Sequence, residues 1–438
     1  MRPRKNNMLN KIIISGLLIS GITAQGYVLY DCVQIALEGK KTVLSAELGV
    51  SSAEKGLTGS YSGLLPSLQA STGASRQQYS NTTTIFNNNY NRLSAGISLN
   101  QTIYDGGQSF NQVRQAKLNL HIAKLNQRST KIQVIQNVIK SYYGLLQAQK
   151  LLNVAEKNLE MSEQQISLVK KQFDLGVVRK TDLLKAEVSV GQARVDVLNR
   201  KANLENARRV LFNDMGLQDF GQSITAIDDE WLAATIPTSA DIMELLKTQN
   251  PSLLVSQAQI NLGDLNYKIL KGLRLPSLNS SVNYSANGEN SEELMDAIKD
   301  DWSLGMNVTL SLPIYTGNNL SIQQQQAKLS RQQSEYDYTT LLNNLRVQAE
   351  LIRKSLNNYA EIIPLNKAIV ASAEEDLKFV RERYSLGSAT ILEVLDAQVS
   401  LIRSNSTLIN TIHDARMQEA SLKALLGTLD LDYQIEED

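Results

Sequence analysis

Glu393 and Asp396 stand three residues apart, so on a helix their carboxylates share one face. Repeated around a symmetry axis, that face becomes two stacked acidic rings that attract cations and narrow a pore. On a lone exposed helix the same pair is a solvated edge. The other chemistry-bearing residues form no comparable group. His121 and His413 lie far apart on polar stretches with no ligand spacing, and read as surface histidines. Cys32 is the only cysteine, which excludes an intrachain disulfide and a multi-cysteine metal site. Tyr30 and Asp31 directly precede it, so it reads as a small packed residue on the first helix rather than a lipid anchor. Gly106-Gly107 lacks the remaining glycines of a nucleotide loop and reads as a strand-to-helix turn. No Ser/His/Asp arrangement, phosphate loop or metal cluster stands in register. The expectation is therefore a protein that is not an enzyme, with no catalytic residue, no cofactor and no metal.

The elements that must carry an acidic face are written at larger scale. The 438 residues hold 44 basic and 44 acidic side chains, so no net charge draws nucleic acid or acidic lipid. Scarce aromatics, seven prolines and abundant Gln, Asn, Ser, Leu and Ala suit long helices better than a compact enzyme core. Arg2, Arg4, Lys5 and Lys11 precede the apolar run Ile12 to Ile22, and a cut after Ala24 makes this an export signal. Met8 is an alternative start. No later stretch reaches the ~18 to 20 apolar residues of a membrane helix, so any membrane crossing falls to strands.

The chain is a tandem duplication. Residues 31–68 align without a gap on 241–278, ending in Leu65-Pro66-Ser67-Leu68 and Leu275-Pro276-Ser277-Leu278. Tyr104-Asp105-Gly106 answers to Tyr315-Thr316-Gly317, Phe173-Asp174-Leu175-Gly176 to Tyr384-Ser385-Leu386-Gly387, and Gly216 to Gly427. Strands show alternation: Trp302, Leu304, Met306, Val308, Leu310 and Leu312 oppose Ser303, Gly305, Asn307, Thr309 and Ser311. Leu93, Ala95, Ile97 and Leu99 do likewise. Helices show heptads: Val138, Leu145, Leu152, Leu159, Ile166 and Phe173 fall every seven residues, as do Ala349, Leu356, Ile363, Val370, Leu377 and Tyr384. Beyond the Leu-Gly turns, Leu183, Val190, Val197, Leu204 and Leu211 are matched by Val394, Leu401, Leu408, Ala415 and Leu422. A seven-residue seam makes helices supercoil left-handedly. A run of this length rises about 100 Å at ~1.5 Å per residue. Pro364 predicts a kink or a hydrogen-bond defect near Glu361 to Leu365.

The expected organisation is a signal peptide over 1–24, a first repeat over 25–214, a connector over 215–240, a second repeat over 241–429 and a tail over 430–438. The first repeat holds strands at about 66–79 and 91–104 and helices at about 108–174 and 178–214. The second holds strands at about 276–287 and 301–313 and helices at about 319–385 and 389–426. The fold class is mostly α with a membrane β-barrel contribution of four strands per chain. Four strands cannot close a barrel whose smallest members have about eight, so the chain must oligomerise, and three copies give about twelve strands with room for a lumen.

This duplicated order, with its paired Leu-Gly turns and closing word Leu425-Leu426-Gly427-Thr428-Leu429, resembles the TolC family of outer-membrane efflux proteins over essentially the whole mature chain. The resemblance implies a homotrimer with one shared barrel in the outer membrane and a periplasmic α-helical tube. It also implies a periplasmic adaptor (membrane fusion) protein and an inner-membrane transporter as partners. Leu175, Gly176, Val177, Leu386, Gly387 and Ser388 then become adaptor-contacting tips, while Gly176 and Gly387 also end helices in left-handed conformation. Glu393 and Asp396 match the acidic constriction, with Glu in place of Asp at the first position. Tyr384, Thr181 and Asp182 match the polar links of the gate. Ala389 stands where the family carries an arginine, leaving Arg179, Lys180, Arg381 and Arg383 as candidate replacements. A trimeric coiled-coil surface adhesin would explain heptads and export but not the paired strands. Drug or metal efflux and one-step protein export remain open as the cargo.

Overall fold

The computed structural model describes residues 26–77, 90–218, 225–226 and 236–433, so the expected signal peptide lies outside the described residues. In chain order come a two-residue strand β1 (Gly26–Tyr27), helices α1 (Leu29–Gly39) and α2 (Lys41–Ser60), strands β2 (Ser67–Gln77) and β3 (Tyr90–Asp105), and helices α3 (Gln108–Asp174) and α4 (Lys180–Met215). Within the connector, β4 (Thr225–Ala226) pairs in parallel with β1. Then follow α5 (Ser239–Gln249), α6 (Pro251–Gly272), β5 (Ser277–Gly288), α7 (Ser291–Lys299), β6 (Trp302–Ser311), α8 (Asn319–Ser385) and α9 (Ile391–Leu426). Among the described residues no helix is long and apolar enough to cross a membrane. The chain divides into two compact units, one of Glu47–Gln127 and Ser252–Leu341, the other of Met1–Ala46, Arg128–Pro251 and Leu342–Asp438.

The first unit is built on a four-stranded antiparallel sheet in the order β2-β3-β5-β6, so strands from the two repeats pair at its centre and β2 and β6 form its edges. Register carries the alternation across every strand. Leu68 pairs with Leu99, Leu99 with Val282, and Val282 with Met306, while Ala70, Ile97, Tyr284 and Leu304 form the next row. One face is thus apolar from edge to edge. The other pairs Ser71 with Gly96, Gly96 with Ser285 and Ser285 with Ser303, a face of Ser, Asn, Thr and Gly. Strand leads into helix through Gly106 at φ +71° and Gly107 at +80° in the first repeat, and through Gly317 and Asn318, both at +62°, in the second. Gly106 is doubly constrained, because a Cβ there would lie 2.2 Å from the Gly272 carbonyl oxygen.

Helix α7 fills most of the stretch 288–300, to which the expected strands assign no element. Asn290 caps it by accepting hydrogen bonds from the amides of Glu292 and Glu293. Glu292 and Glu293 in its first turn suit the helix dipole.

In the second unit most of the heptad positions are buried. Val138, Leu145, Ala349, Leu356, Ile363, Leu377, Leu183, Val190, Val197, Val394, Ala415 and Leu422 are all shielded from solvent. Each Val, Leu or Ile among them contributes ~1.5 to 3 kcal/mol when fully buried. Cys32 packs in the core beside Val33 and Ala36, and burial first, then the neighbouring Asp31, pushes its thiol up to about 12. Helix α8 runs through Pro364 as one α-helix; the proline removes one ladder donor without ending the element.

One expectation is corrected. His413 is half-buried rather than on the surface, with Nδ1 3.4 Å from Asp414, because α9 packs that face inward. Within the expected tail, Leu429–Tyr433 forms a packed 3-10 turn. Arg128 fixes it, donating from Nε to Asp430 at 2.8 Å and from Nη2 to the Gly427 carbonyl at 2.7 Å, while Tyr433 stacks on Tyr30. Residues 434–438 lie outside the described residues.

Candidate functional site

Both hairpin tips close with the same backbone geometry. Gly176 (φ +72°) donates to the Phe173 carbonyl and Val177 to Gln172, each at 2.9 Å. Gly387 (φ +74°) donates to Tyr384 at 3.1 Å and Ser388 to Arg383 at 2.9 Å. These paired bonds satisfy the last carbonyls of each long helix. The turn and the following cap occupy the residues up to Arg179 and Thr390, which is why α4 and α9 begin at Lys180 and Ile391, two residues later than the sequence suggested. Nothing lies within 4 Å of a Cβ built at Gly176 or Gly387, so only their backbone conformation demands glycine. Leu175, Val177 and Leu386 are exposed at 70 to 83%, which leaves three large apolar side chains in solvent at the turns.

The two tips share one apolar cluster. Val169, Leu183, Ala186, Leu377, Tyr384, Ile391, Val394 and Ala397 form it, with Phe173, Val178 and Ala389 against its edge. Ala389, at the family's arginine position, is therefore part of an apolar contact. Tyr384 donates its phenolic proton to Gln172 Oε1 at 2.9 Å, a bond between the hairpins. Burial, and then the charge of Asp182, raises the Tyr384 pKa, so the phenol remains a donor. Thr181 is exposed and Asp182 half-buried at the start of α4. The resemblance groups Tyr384 with Thr181 and Asp182; within one chain its hydroxyl bonds to Gln172.

Glu393 does not stand free. It is the third residue of α9 and closes a capping box: its Oε1 accepts from the Thr390 amide and hydroxyl, both at 3.0 Å, while the Thr390 hydroxyl accepts from the Glu393 amide at 3.3 Å. The Thr390 amide, then its hydroxyl, and last the charge of Arg383 hold this carboxyl below the usual glutamate range. Arg383 lies 3.6 Å from Glu393 and donates to the Ser388 carbonyl at 3.0 Å. Among the four candidate cations Arg383 is thus the one bonded across its own tip. Lys180 instead sits 5.5 Å over the Phe173 ring, and Arg381 is partly desolvated, which lowers its pKa. Asp396 is exposed one turn further along, with no hydrogen bond or ion pair among the described residues. The word Thr390-x-x-Glu393 is the sequence signature of a capping box, and it was the signal available for this outcome.

Gln398 is a second buried link between hairpins, donating to Asn158 Oδ1 at 2.6 Å and to Ser162 Oγ at 2.9 Å. It borders an open groove between α4 and α9 lined by Leu184, Val188, Leu392 and Val399.

Duplicated helical hairpins fused at their tips, joined to a sheet with one apolar and one polar face, define a two-repeat membrane-strand protein. The chain belongs to the outer membrane efflux protein family, whose profile matches residues 32–217 and 242–428, one block per repeat. It is 25% identical over 265 residues to the outer membrane protein TolC of Vibrio cholerae serotype O1, covering 59% of this chain and 60% of TolC. The chain thus spans less than two thirds of the TolC relatives it matches. The outer membrane efflux protein BepC of Brucella suis is 22% identical over 431 residues, with 96% of this chain and 90% of BepC covered. The solved structure of CusC superposes with a TM-score of 0.81 at 20% identity, over 94% of this chain and 95% of that one.

Proposed function

We propose that three copies of this chain close into one outer-membrane channel, a passive conduit from a periplasmic adaptor and an inner-membrane transporter to the exterior. The observation that carries this is the sheet. Its apolar face runs edge to edge, its two edge strands are open, and four strands cannot close alone. The exposed apolar residues of the long helices support the same reading: Leu329, Tyr336, Leu351, Leu365 and Phe379 of α8 and Leu184, Val188 and Val195 of α4 await a neighbouring chain. In the closed trimer the apolar face meets lipid, and the Ser/Asn/Thr face lines the lumen. The exposed turns at Leu175, Val177 and Leu386 meet the adaptor, and Asp396, more than Glu393, supplies the acidic constriction.

The test is purification from outer membranes followed by mass measurement and planar-bilayer recording. A particle of three chains with a reproducible conductance is expected. A water-soluble single chain with no conductance would overturn the proposal.

A further inference from the structure

Helix α7 lies on the apolar face of the sheet, not over its polar face. Tyr284, Ala286 and Gly288 alternate onto that face, and all three meet the helix or its end. Tyr284 donates to the Ile298 carbonyl at 2.6 Å, Ala286 is 1% exposed, and a Cβ at Gly288 would fall 2.4 Å from the Leu294 amide. The helix is strongly two-sided. Leu294, Met295, Ala297 and Ile298 fall within one arc of its circumference, and Glu292, Glu293, Asp296 and Lys299 within the opposite one. Only half of the apolar arc is used: Ala297 is 5% exposed against the sheet, while Met295 is 58% exposed and Ile298 37%. These two continue the exposed row Trp302, Leu304 and Met306 of β6.

We propose that α7 is an interfacial anchor, lying in the plane where acyl chains meet headgroups, with Met295 and Ile298 in the lipid and the acidic edge in water. This rests on the reading of the apolar sheet face as the lipid-facing wall of the channel. Three observations choose lipid as the occupant. The exposed part of the helix is continuous with that wall. The rings of Tyr284 and Trp302 pack 5.5 Å apart beside the helix, where a membrane strand carries its aromatic girdle. The Tyr284 hydroxyl also covers a C-terminal carbonyl of the helix that water would otherwise have to satisfy. The ten residues of β6 span ~33 Å along the strand, or about 25 Å once tilted, which is the height of an apolar band, so a helix at the end where β6 begins sits at its border. An amphipathic helix with this division of charge lies in an interface rather than through it.

The test places nitroxide labels on Met295→Cys, Ile298→Cys, Glu292→Cys and Met306→Cys in the full-length channel, reconstituted in phosphatidylcholine vesicles. Cys32, the sole native cysteine, is fully buried and leaves the unmutated protein as an unlabelled control. Collision with oxygen, which partitions into acyl chains, is compared with collision with a water-soluble nickel chelate. The oxygen-to-nickel ratio is expected to be several-fold higher at 295 and 298 than at 292, and higher still at 306. If 306 is oxygen-favoured while 295 and 298 are nickel-favoured, the helix stands in water and the anchor is wrong. If 295 and 298 are shielded from both agents, a second protein chain covers them and the anchor is again wrong. A nickel-favoured 306 would instead refute the lipid-facing wall, and the anchor with it.

Discussion

Replacing Tyr384 with Phe isolates one bond. The ring is 7% exposed within the shared tip cluster, so Phe fills the same space and removes only the hydroxyl that donates to Gln172 at 2.9 Å. A neutral hydrogen bond of this kind contributes ~1 kcal/mol net, within about 0.5 to 1.5, because water recovers part of what is lost. That corresponds to roughly a fivefold shift in the equilibrium between joined and separated hairpins, and about 100-fold if three tips separate together. Single-channel recording of the proposed trimeric channel reads this as increased open occupancy of Tyr384→Phe. Gln172→Leu should do the same, and the double variant should open no more than either single, because both remove one interaction. The bond should also survive alkaline pH. Burial and Asp182 raise the phenol's pKa above its ordinary 10, so the donor proton is present below that value and is lost only as pH rises through the raised one. Unchanged occupancy in both single variants, or effects that simply add, would refute the assignment of this bond as a link between hairpins.

Asp396→Asn should reduce cation preference, measured as a reversal potential across a salt gradient, more than Glu393→Gln does, because the Glu393 carboxylate is held by Thr390; equal losses would refute this. Glu393 should instead stabilise the first turn of α9 fully above pH 4.5 and lose that effect as pH falls through its lowered pKa, so amide exchange at 391–394 should quicken only in acid. Arg128→Met leaves Asp430 mostly buried without its partner and should lower stability by about 2 to 4 kcal/mol, read as a fall in the thermal midpoint in detergent. Gly387→Ala, with open space around it, should cost about 1 to 2 kcal/mol of backbone strain. Gly427→Ala should cost clearly more, because a Cβ there would lie 2.4 Å from the Gln249 carbonyl oxygen; equal thermal shifts would contradict this.

The features legible in the sequence are those that depend on one residue's spacing from the next. Alternation through Leu304, Met306 and Val308 required only a period of two, and the register then aligned it across four strands. Heptads such as Val138 and Leu145 required only a period of seven, and both are fully buried. Gly176, Gly387 and Gly427 marked turns because their positive φ disfavours other residues. What escaped reading depends on partners distant in sequence. Gln172 with Tyr384, and Arg128 with Asp430, are more than 200 residues apart, and neither side announces the other. Helix α7 escaped for a different reason. Its nine residues are too few for a convincing helical period, although Asn290-x-x-Glu293 ahead of Leu294, Ala297 and Ile298 carried its cap and its stripe.

The duplication also conceals a difference between the tips that bears on how they can move. The second tip is tied by its own short-range bonds: the Thr390–Glu393 box, and Arg383 reaching Glu393 and the Ser388 carbonyl. Arg179, in the equivalent capping position of the first tip, makes no side-chain cap. Between hairpins three polar bonds from α3 to α9 are regularly placed. Gln136 donates to Ser421 at 3.3 Å, Gln147 to Asn410 at 2.9 Å, and Asn158 accepts from Gln398 at 2.6 Å. Positions 136, 147 and 158 of α3 are eleven apart, about three turns of a helix at ~3.67 residues per turn, the repeat of a helix that does not wind left-handedly. The contact from α3 to α9 therefore follows a different period from the heptad seams. At the tips the hairpins meet through an apolar cluster, which tolerates sliding, and through the Tyr384–Gln172 bond, which does not. The hairpins are accordingly stiff within themselves and weakly joined to one another at the tips, so motion there should separate hairpin from hairpin before it unwinds either.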